Sequence, residues 1–232
     1  MPGHRVTFRA ASDRSLLIRL GESIDLDTHR RVLRLLRTLE AHPVEGMIDL
    51  HPAYASILVV FDPVRQDPGG LQAALRIRLA ESEAVELAPP RLIEIPVCYG
   101  GEYGPDLDAV ARFHRIQAER VIELHSRPVY TVYFLGFAPG FAYLGGLPEE
   151  IATPRLDVPR ARVPAGSVGI AGSQTGVYPF ATPGGWRLIG RTPLRMFDPN
   201  RASRMSLLET GDQVRFLSIG PEEFAAIERQ AQ

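Results

Sequence analysis

The sequence predicts a small α+β layer followed by a mainly-β barrel or sandwich, divided as residues 1–88 and 89–232. Three observations carry this. Ahead of residue 89, short strand-like runs alternate with segments of helical period. Pro89-Pro90 then interrupts the chain between a polar stretch and a strand-like one. From Val129 onward the apolar pieces are short and broken by glycine and proline, as in barrels and sandwiches with much loop.

Residues 5–9 and 15–20 alternate or run apolar, as strands do. Asp27 is placed to cap a helix over 28–41, where Val32, Leu35, Leu36 and Leu39 fall on one face. Residues 46–50 and 56–61 read as paired strands, and His51-Pro52-Ala53-Tyr54 as the turn between them. A second helix follows Pro68-Gly69-Gly70, with Leu71, Leu75 and Leu79 aligned. Past the two prolines, 91–97 reads as a strand and Tyr99 to Pro105 as a tight loop. Asp106 can cap a helix over 107–113, and 118–125 makes another. Residues 129–135, 168–171 and 186–190 are the clearest strands of the second part.

Composition narrows the function. In 232 residues, 45% are hydrophobic and 23% charged, ordinary globular values that rule out a disordered chain. A net charge of −1 gives no general attraction to nucleic acid or anionic lipid. The opening residues lack a signal-peptide core, no apolar run is long enough to span a bilayer, and Cys98 is the sole cysteine. A cytoplasmic protein is expected. All 26 basic residues are arginine, so a Schiff-base lysine and a P-loop lysine are excluded within the chain.

Several familiar chemistries fail on spacing. His4, His29, His42, His51, His114 and His125 contain no helical zinc pair, and no metal site is expected. The helices over 107–125 mix Glu119 and Glu123 with Arg120, which suits packing over a barrel opening better than DNA binding. Ala165-Gly166-Ser167-Val168-Gly169 misses the nucleophile-elbow pattern at its first glycine.

The segment from Tyr130 to Pro199 differs in kind. Phe137, Phe141 and Trp186 stand among glycines and prolines that make rigid loop walls, while Arg155, Arg160, Gln174 and Tyr178 offer hydrogen-bond donors. That composition suits a small pocket for a polar, planar or carboxylated ligand.

The same segment carries a resemblance. Pro96-Val97-Cys98-Tyr99-Gly100-Gly101, Gly104-Pro105-Asp106-Leu107, His125-Ser126 and the run from Gly136 to Gly146 occur in order. They are followed by Pro154 through Ser167, Gln174-Thr175-Gly176, Pro183-Gly184-Gly185-Trp186 and Ile189 to Pro193. Together they resemble the family of 5-oxoprolinase B subunits, also called the KipI family or allophanate hydrolase subunit 1. Ala142 and Val177 stand where that family often has proline and isoleucine.

The resemblance implies that the second domain is a cyclophilin-like barrel. It also implies ATP-dependent opening of 5-oxoproline to glutamate, a reaction shared among three subunits. The C subunit is then the direct partner, and the A subunit the third member. ATP is used by the assembled complex, and no cofactor is expected to be tightly bound in this chain. On this reading Arg155 or Arg160 pairs with a carboxylate or phosphate, Tyr178 or Gln174 stabilises an oxyanion, and His125 transfers a proton. The alternative for His125 is a helix C-cap. Ser167, Phe137, Phe141 and Trp186 complete the expected substrate-binding set. Two other functions remain open: inhibition of a sensor histidine kinase, and a carboxyltransferase-type role in a urea carboxylase or allophanate system. Proline isomerisation follows only from the barrel.

Overall fold

The computed structural model describes residues 6–201 and 204–230, so His4 and Arg5 lie outside the described residues. It divides into two compact units, Met1–Pro89 and Pro90–Gln232.

In the first unit, strands β1 (Thr7–Ser12), β2 (Ser15–Arg19), β3 (Met47–Pro52) and β4 (Ser56–Phe61) form an antiparallel sheet ordered β1-β2-β4-β3. Alternation decides which side is apolar: Leu16, Ile18, Ile57, Val59 and Phe61 are buried on one face. Helix α1 (Leu26–Ala41) adds Val32, Leu35, Leu36 and Leu39 to that core, and α2 (Pro68–Ser82) adds Leu71 and Leu75.

Two local expectations change here. The cap of α1 is Asp25, not Asp27: its carboxylate accepts from the Thr28 N–H at 2.7 Å and from the Ser23 and Thr28 hydroxyls. His51 and Pro52 belong to β3 rather than to a turn. Proline is tolerated there because β3 is an edge strand.

The second unit holds a closed barrel of seven strands: β5 (Leu92–Tyr99), β6 (Val129–Leu135), β7 (Ala142–Gly145), β9 (Ser167–Ala171), β10 (Gln174–Val177), β12 (Arg187–Arg191) and β13 (Gln213–Ser218). Their order is β10-β7-β6-β13-β5-β12-β9, with β13 parallel to β5 and the other registered pairs antiparallel. The choice between barrel and sandwich is thus resolved as a barrel. A separate ribbon pairs β8 (Arg160–Val163) with β11 (Thr182–Gly184). Helices α3 (Leu107–His114) and α4 (Ala118–Ser126) contribute Val110, Ala111, Val121 and Leu124 to the barrel core, and α5 (Pro221–Gln230) ends the described chain.

The pleat divides the aromatic and aliphatic residues of this unit. Val168, Ile170 and Val177 belong to the core inside the barrel. Ala171 of β9 instead joins a second cluster with Phe141, Val163, Tyr178, Trp186 and Leu188. That cluster lies on the opposite face of β9 and β10. No helix among the described residues is long and apolar enough to cross a membrane.

Candidate functional site

The second cluster forms an aromatic floor. Phe141 meets Tyr178 at 5.3 Å and Trp186 at 5.4 Å between ring centroids, both edge to face. Tyr143 joins at 5.0 Å from Phe141 and 6.1 Å from Trp186. Such geometry directs the positive edge of one ring at the negative face of the next. Gly184 makes the floor possible, since a side chain there would collide with the Tyr178 ring and hydroxyl.

Phe137 stands at the rim, 63% exposed and edge-on to Phe141 at 5.4 Å and Tyr178 at 6.4 Å. Its backbone is held at φ 69° while the Ala138 N–H donates to the Gly136 carbonyl at 2.8 Å. A two-residue closure around a positive φ is the strained form of the γ-turn. The Phe141 N–H donates to the Ala138 carbonyl at 3.0 Å, and Pro139-Gly140, with glycine at φ 81°, supplies the second turn.

Two arginines reach this floor by different means. The Leu156 N–H donates to the Gly185 carbonyl at 2.7 Å, which fixes the Arg155 loop beside Trp186. The Arg155 guanidinium lies 5.8 Å from the Trp186 ring centre and has no ion-pair partner among the described residues. Arg160, from β8, donates through Nη2 to Asp106 Oδ1 at 2.7 Å and through Nη1 to the Trp186 carbonyl at 3.5 Å. The other oxygen of Asp106 accepts from the Leu188 N–H at 2.7 Å. Arg160 is therefore compensated, whereas Arg155 leaves one positive charge over the floor.

Tyr178 senses both cations. Burial pushes its hydroxyl up from the ordinary phenol value, opposed by a hydrogen bond from the Trp186 backbone and by the charges of Arg155 and Arg160. Burial likewise raises Tyr143, against the pull of Arg155. Both hydroxyls are neutral donors and acceptors at physiological pH, suited to stabilising charge rather than carrying protons.

The expected site residues separate into three groups. Phe137, Phe141, Arg155, Arg160, Tyr178 and Trp186 come together. Gln174 lies on β10 directly opposite Ala171, a member of the floor cluster, and so shares its face. Ser167 contributes through its backbone: its carbonyl accepts from the Tyr178 N–H at 2.9 Å, while its side chain is buried in β9. Direct ligand contact by Ser167 is accordingly replaced by a role in seating Tyr178.

His125 requires a correction. It is fully buried, with its ring stacked on Phe216 at 4.6 Å in the barrel core. The Thr175 hydroxyl donates to the Gly169 carbonyl at 2.9 Å, so it accepts from His125 Nε2 at 2.9 Å. Nδ1 then accepts from the Tyr99 hydroxyl at 2.8 Å. Desolvation lowers its pKa from 6.5 to about 3. Both nitrogens are occupied and the ring is closed to solvent, so His125 is a neutral structural element and proton transfer to a ligand is withdrawn.

Sequence reasoning missed Asp106 and Tyr143. Asp106, predicted to cap a helix, occupies that position, but its carboxylate makes no capping bond and serves Arg160 and Leu188 instead. The available signal was an acid within Gly104-Pro105-Asp106, although nothing local names a partner 54 residues away. Among the described residues no group of three or more His, Cys, Asp or Glu is placed to hold a metal ion.

The family described as "Carboxyltransferase domain, subdomain C and D" matches residues 6–208. The chain belongs to this family. It is 41% identical over 237 residues to the 5-oxoprolinase B subunit of Bacillus subtilis strain 168, covering 98% of each chain. The solved structure of TTHA0988 superposes with a TM-score of 0.78 at 39% identity over 90% of the chain, which spans 40% of that protein's length. The K. lactis urea amidolyase superposes over the whole chain with a TM-score of 0.81 at 22% identity, a likeness of fold alone, and the chain spans 16% of its length.

Proposed function

We propose that this chain is the B subunit of an ATP-dependent 5-oxoprolinase, working with the A and C subunits, and that the Trp186 floor holds the lactam ring or its activated form. The observation that carries this reading is the uncompensated Arg155 guanidinium above an aromatic floor. One positive charge over an apolar surface matches a small planar ring bearing one carboxylate. Arg160, held by Asp106, and the Tyr178 hydroxyl lie where negative charge on the ring oxygen can be stabilised as water attacks.

The chemistry divides naturally between subunits. Amide resonance makes a lactam carbonyl a poor electrophile, and phosphorylation of its oxygen by ATP relieves that. This chain, with no lysine and hence no P-loop, is suited to holding the activated compound rather than making it. The likeness to the Bacillus subtilis protein supports the same assignment. The cyclophilin-like description of the barrel belongs to this reading as well, as scaffold and without isomerase activity.

A second reading, carboxyl transfer to an amide nitrogen, is favoured by the fold shared with urea amidolyase. One experiment separates the two. ATP-dependent glutamate release from 5-oxoproline is measured with the three subunits together and with only this chain left out. Activity should vanish on omission, and Arg155→Ala should raise KM by about tenfold, the loss of one charged contact. Undiminished release without the chain overturns the proposal. ADP release stimulated by urea and not by 5-oxoproline promotes the second reading.

A further inference from the structure

The rings of the Trp186 floor are nearly shut off from solvent. Phe141 and Tyr178 are each 2% exposed and Trp186 is 5% exposed, so a ligand reaches them only after something above them moves. The segment above runs from Pro154 to Arg162, the loop that carries Arg155 followed by most of β8. Its Arg155 lies over the Trp186 ring, and its Leu156 and Pro159 lie against Gly185.

This segment is built as a strap. Buried residues hold its two ends: Thr153, fixed by a bridge to Gly172 and by His114, and Val163, a member of the floor cluster. Every residue between them is exposed or half-buried. Pro154 and Pro164 stand next to the anchors and Pro159 near the middle, which stiffens the span so that it moves as a unit.

The bonds that hold it down are sparse. β8 pairs with β11 at two registered positions with an irregularity between them, and neither strand joins the barrel sheet. The Leu156 N–H donates to Gly185, the Arg187 guanidinium donates to the Pro154 carbonyl, and Arg160 reaches across to Asp106. Asp106 is itself fastened to β12 through the Leu188 N–H, which makes its pair with Arg160 a latch between strap and barrel.

One buried group opposes closure. The Thr182 hydroxyl, on β11 opposite Val163, is buried with no hydrogen-bond partner among the described residues. A hydroxyl cut off from both water and protein partners favours an arrangement that hydrates it.

We propose that residues 154–162 form a strap over the Trp186 floor, latched by Arg160 on Asp106, that lifts to admit the ligand and closes with Arg155 above it. The ligand's identity rests on the function proposed above; the movement rests on the strap's own construction. Both arginines ride on the strap, so its closure brings positive charge to the floor. A carboxylate lying there draws the strap down, and a neutral ring does not.

Amide hydrogen exchange on the full chain tests this. The Leu156 N–H, bonded to Gly185, reports the strap; the Tyr178 N–H, bonded to Ser167, reports the floor beneath it. Exchange at Leu156 should run at least about tenfold faster than at Tyr178, through an opening that leaves the barrel folded. Thr182→Val keeps the shape and removes the hydroxyl, and should slow Leu156 at least about threefold, while Thr182→Ser stays near wild type. Arg160→Met releases the latch and should speed Leu156 at least about fivefold. Excess 5-oxoproline should slow it at least about threefold, and 2-pyrrolidinone, the same ring without a carboxylate, should leave it unchanged.

Leu156 exchange as slow as that of Tyr178, or unmoved by both substitutions, overturns the strap. Circular dichroism checks folding, and the near-isosteric Thr182→Val decides the question by itself if Arg160→Met does not fold. Exchange that the substitutions move but neither lactam moves keeps the strap and removes the lactam from this floor. Equal slowing by the two lactams overturns closure on a carboxylate.

Discussion

Removing the imidazole of His125 tests its reassignment quantitatively. Its pKa is held at about 3 in the folded barrel against 6.5 for a free group. As pH falls below 6.5 the unfolded chain takes up a proton that the folded one refuses. The stability this residue allows is therefore complete above 6.5 and is lost progressively down to about 3. Each pH unit in that window costs about 1.4 kcal/mol, so the wild-type barrel should lose roughly 2–3 kcal/mol between about pH 6.5 and 4.5 from this group alone.

His125→Gln lacks that titration but breaks the bonds to Tyr99 and Thr175, and should be about 2–4 kcal/mol less stable at about pH 7.5. Urea unfolding followed by Trp186 fluorescence reads the second unit directly, because Trp186 is the sole tryptophan and lies within it. The gap between the two proteins should close as pH falls. A gap that stays constant from about pH 7.5 to 4.5, or an imidazole resonance titrating near the free value of 6.5, would refute the buried neutral assignment. A loss of turnover of about a hundredfold at unchanged stability would return His125 to chemistry.

Asp106→Asn should cost the barrel about 1.5–3 kcal/mol and raise KM together with that of Arg160→Ala, since both break one charged pair; denaturation and initial rates check it. Phe137→Gly relieves the positive φ and should raise the barrel's unfolding free energy by about 1 kcal/mol while weakening ligand binding, a split seen by comparing melting with Trp186 quenching. Gly104→Ala drives a methyl group into the Ile189 backbone carbonyl and should abolish accumulation of folded protein, read from soluble yield.

How far the sequence could be read depended on where each residue's partner lies. The strand Val129–Leu135 was legible because branched and aromatic residues run between turn signals. The α1 face was legible because Val32, Leu35, Leu36 and Leu39 recur at helical spacing. Its cap was misplaced by two residues because Asp25 and Asp27 look alike until Ser23 and Thr28 are seen to converge on Asp25. The aromatic and arginine members of the site were accessible as composition. Which arginine was already compensated was not, since Asp106 and Arg160 meet only after the barrel forms. His125 misled through proximity: it precedes the barrel motifs in sequence, but it stands four residues after Val121 on the buried face of α4 and points inward, toward Thr175.

The place of β13 in the barrel has a consequence for how the protein is made. It lies between β5 and β6, pairing along six residues with the first and three with the second. Its anchor joins Arg91 to Asp212 across 121 positions of chain. A polypeptide emerging from the ribosome thus displays β5 and β6 with their facing edges open until Gln213–Ser218 has been translated. Until β13 is made the nascent barrel is an unclosed sheet, exposed to other nascent chains, and its safety depends on the speed with which the last strand among the described residues arrives.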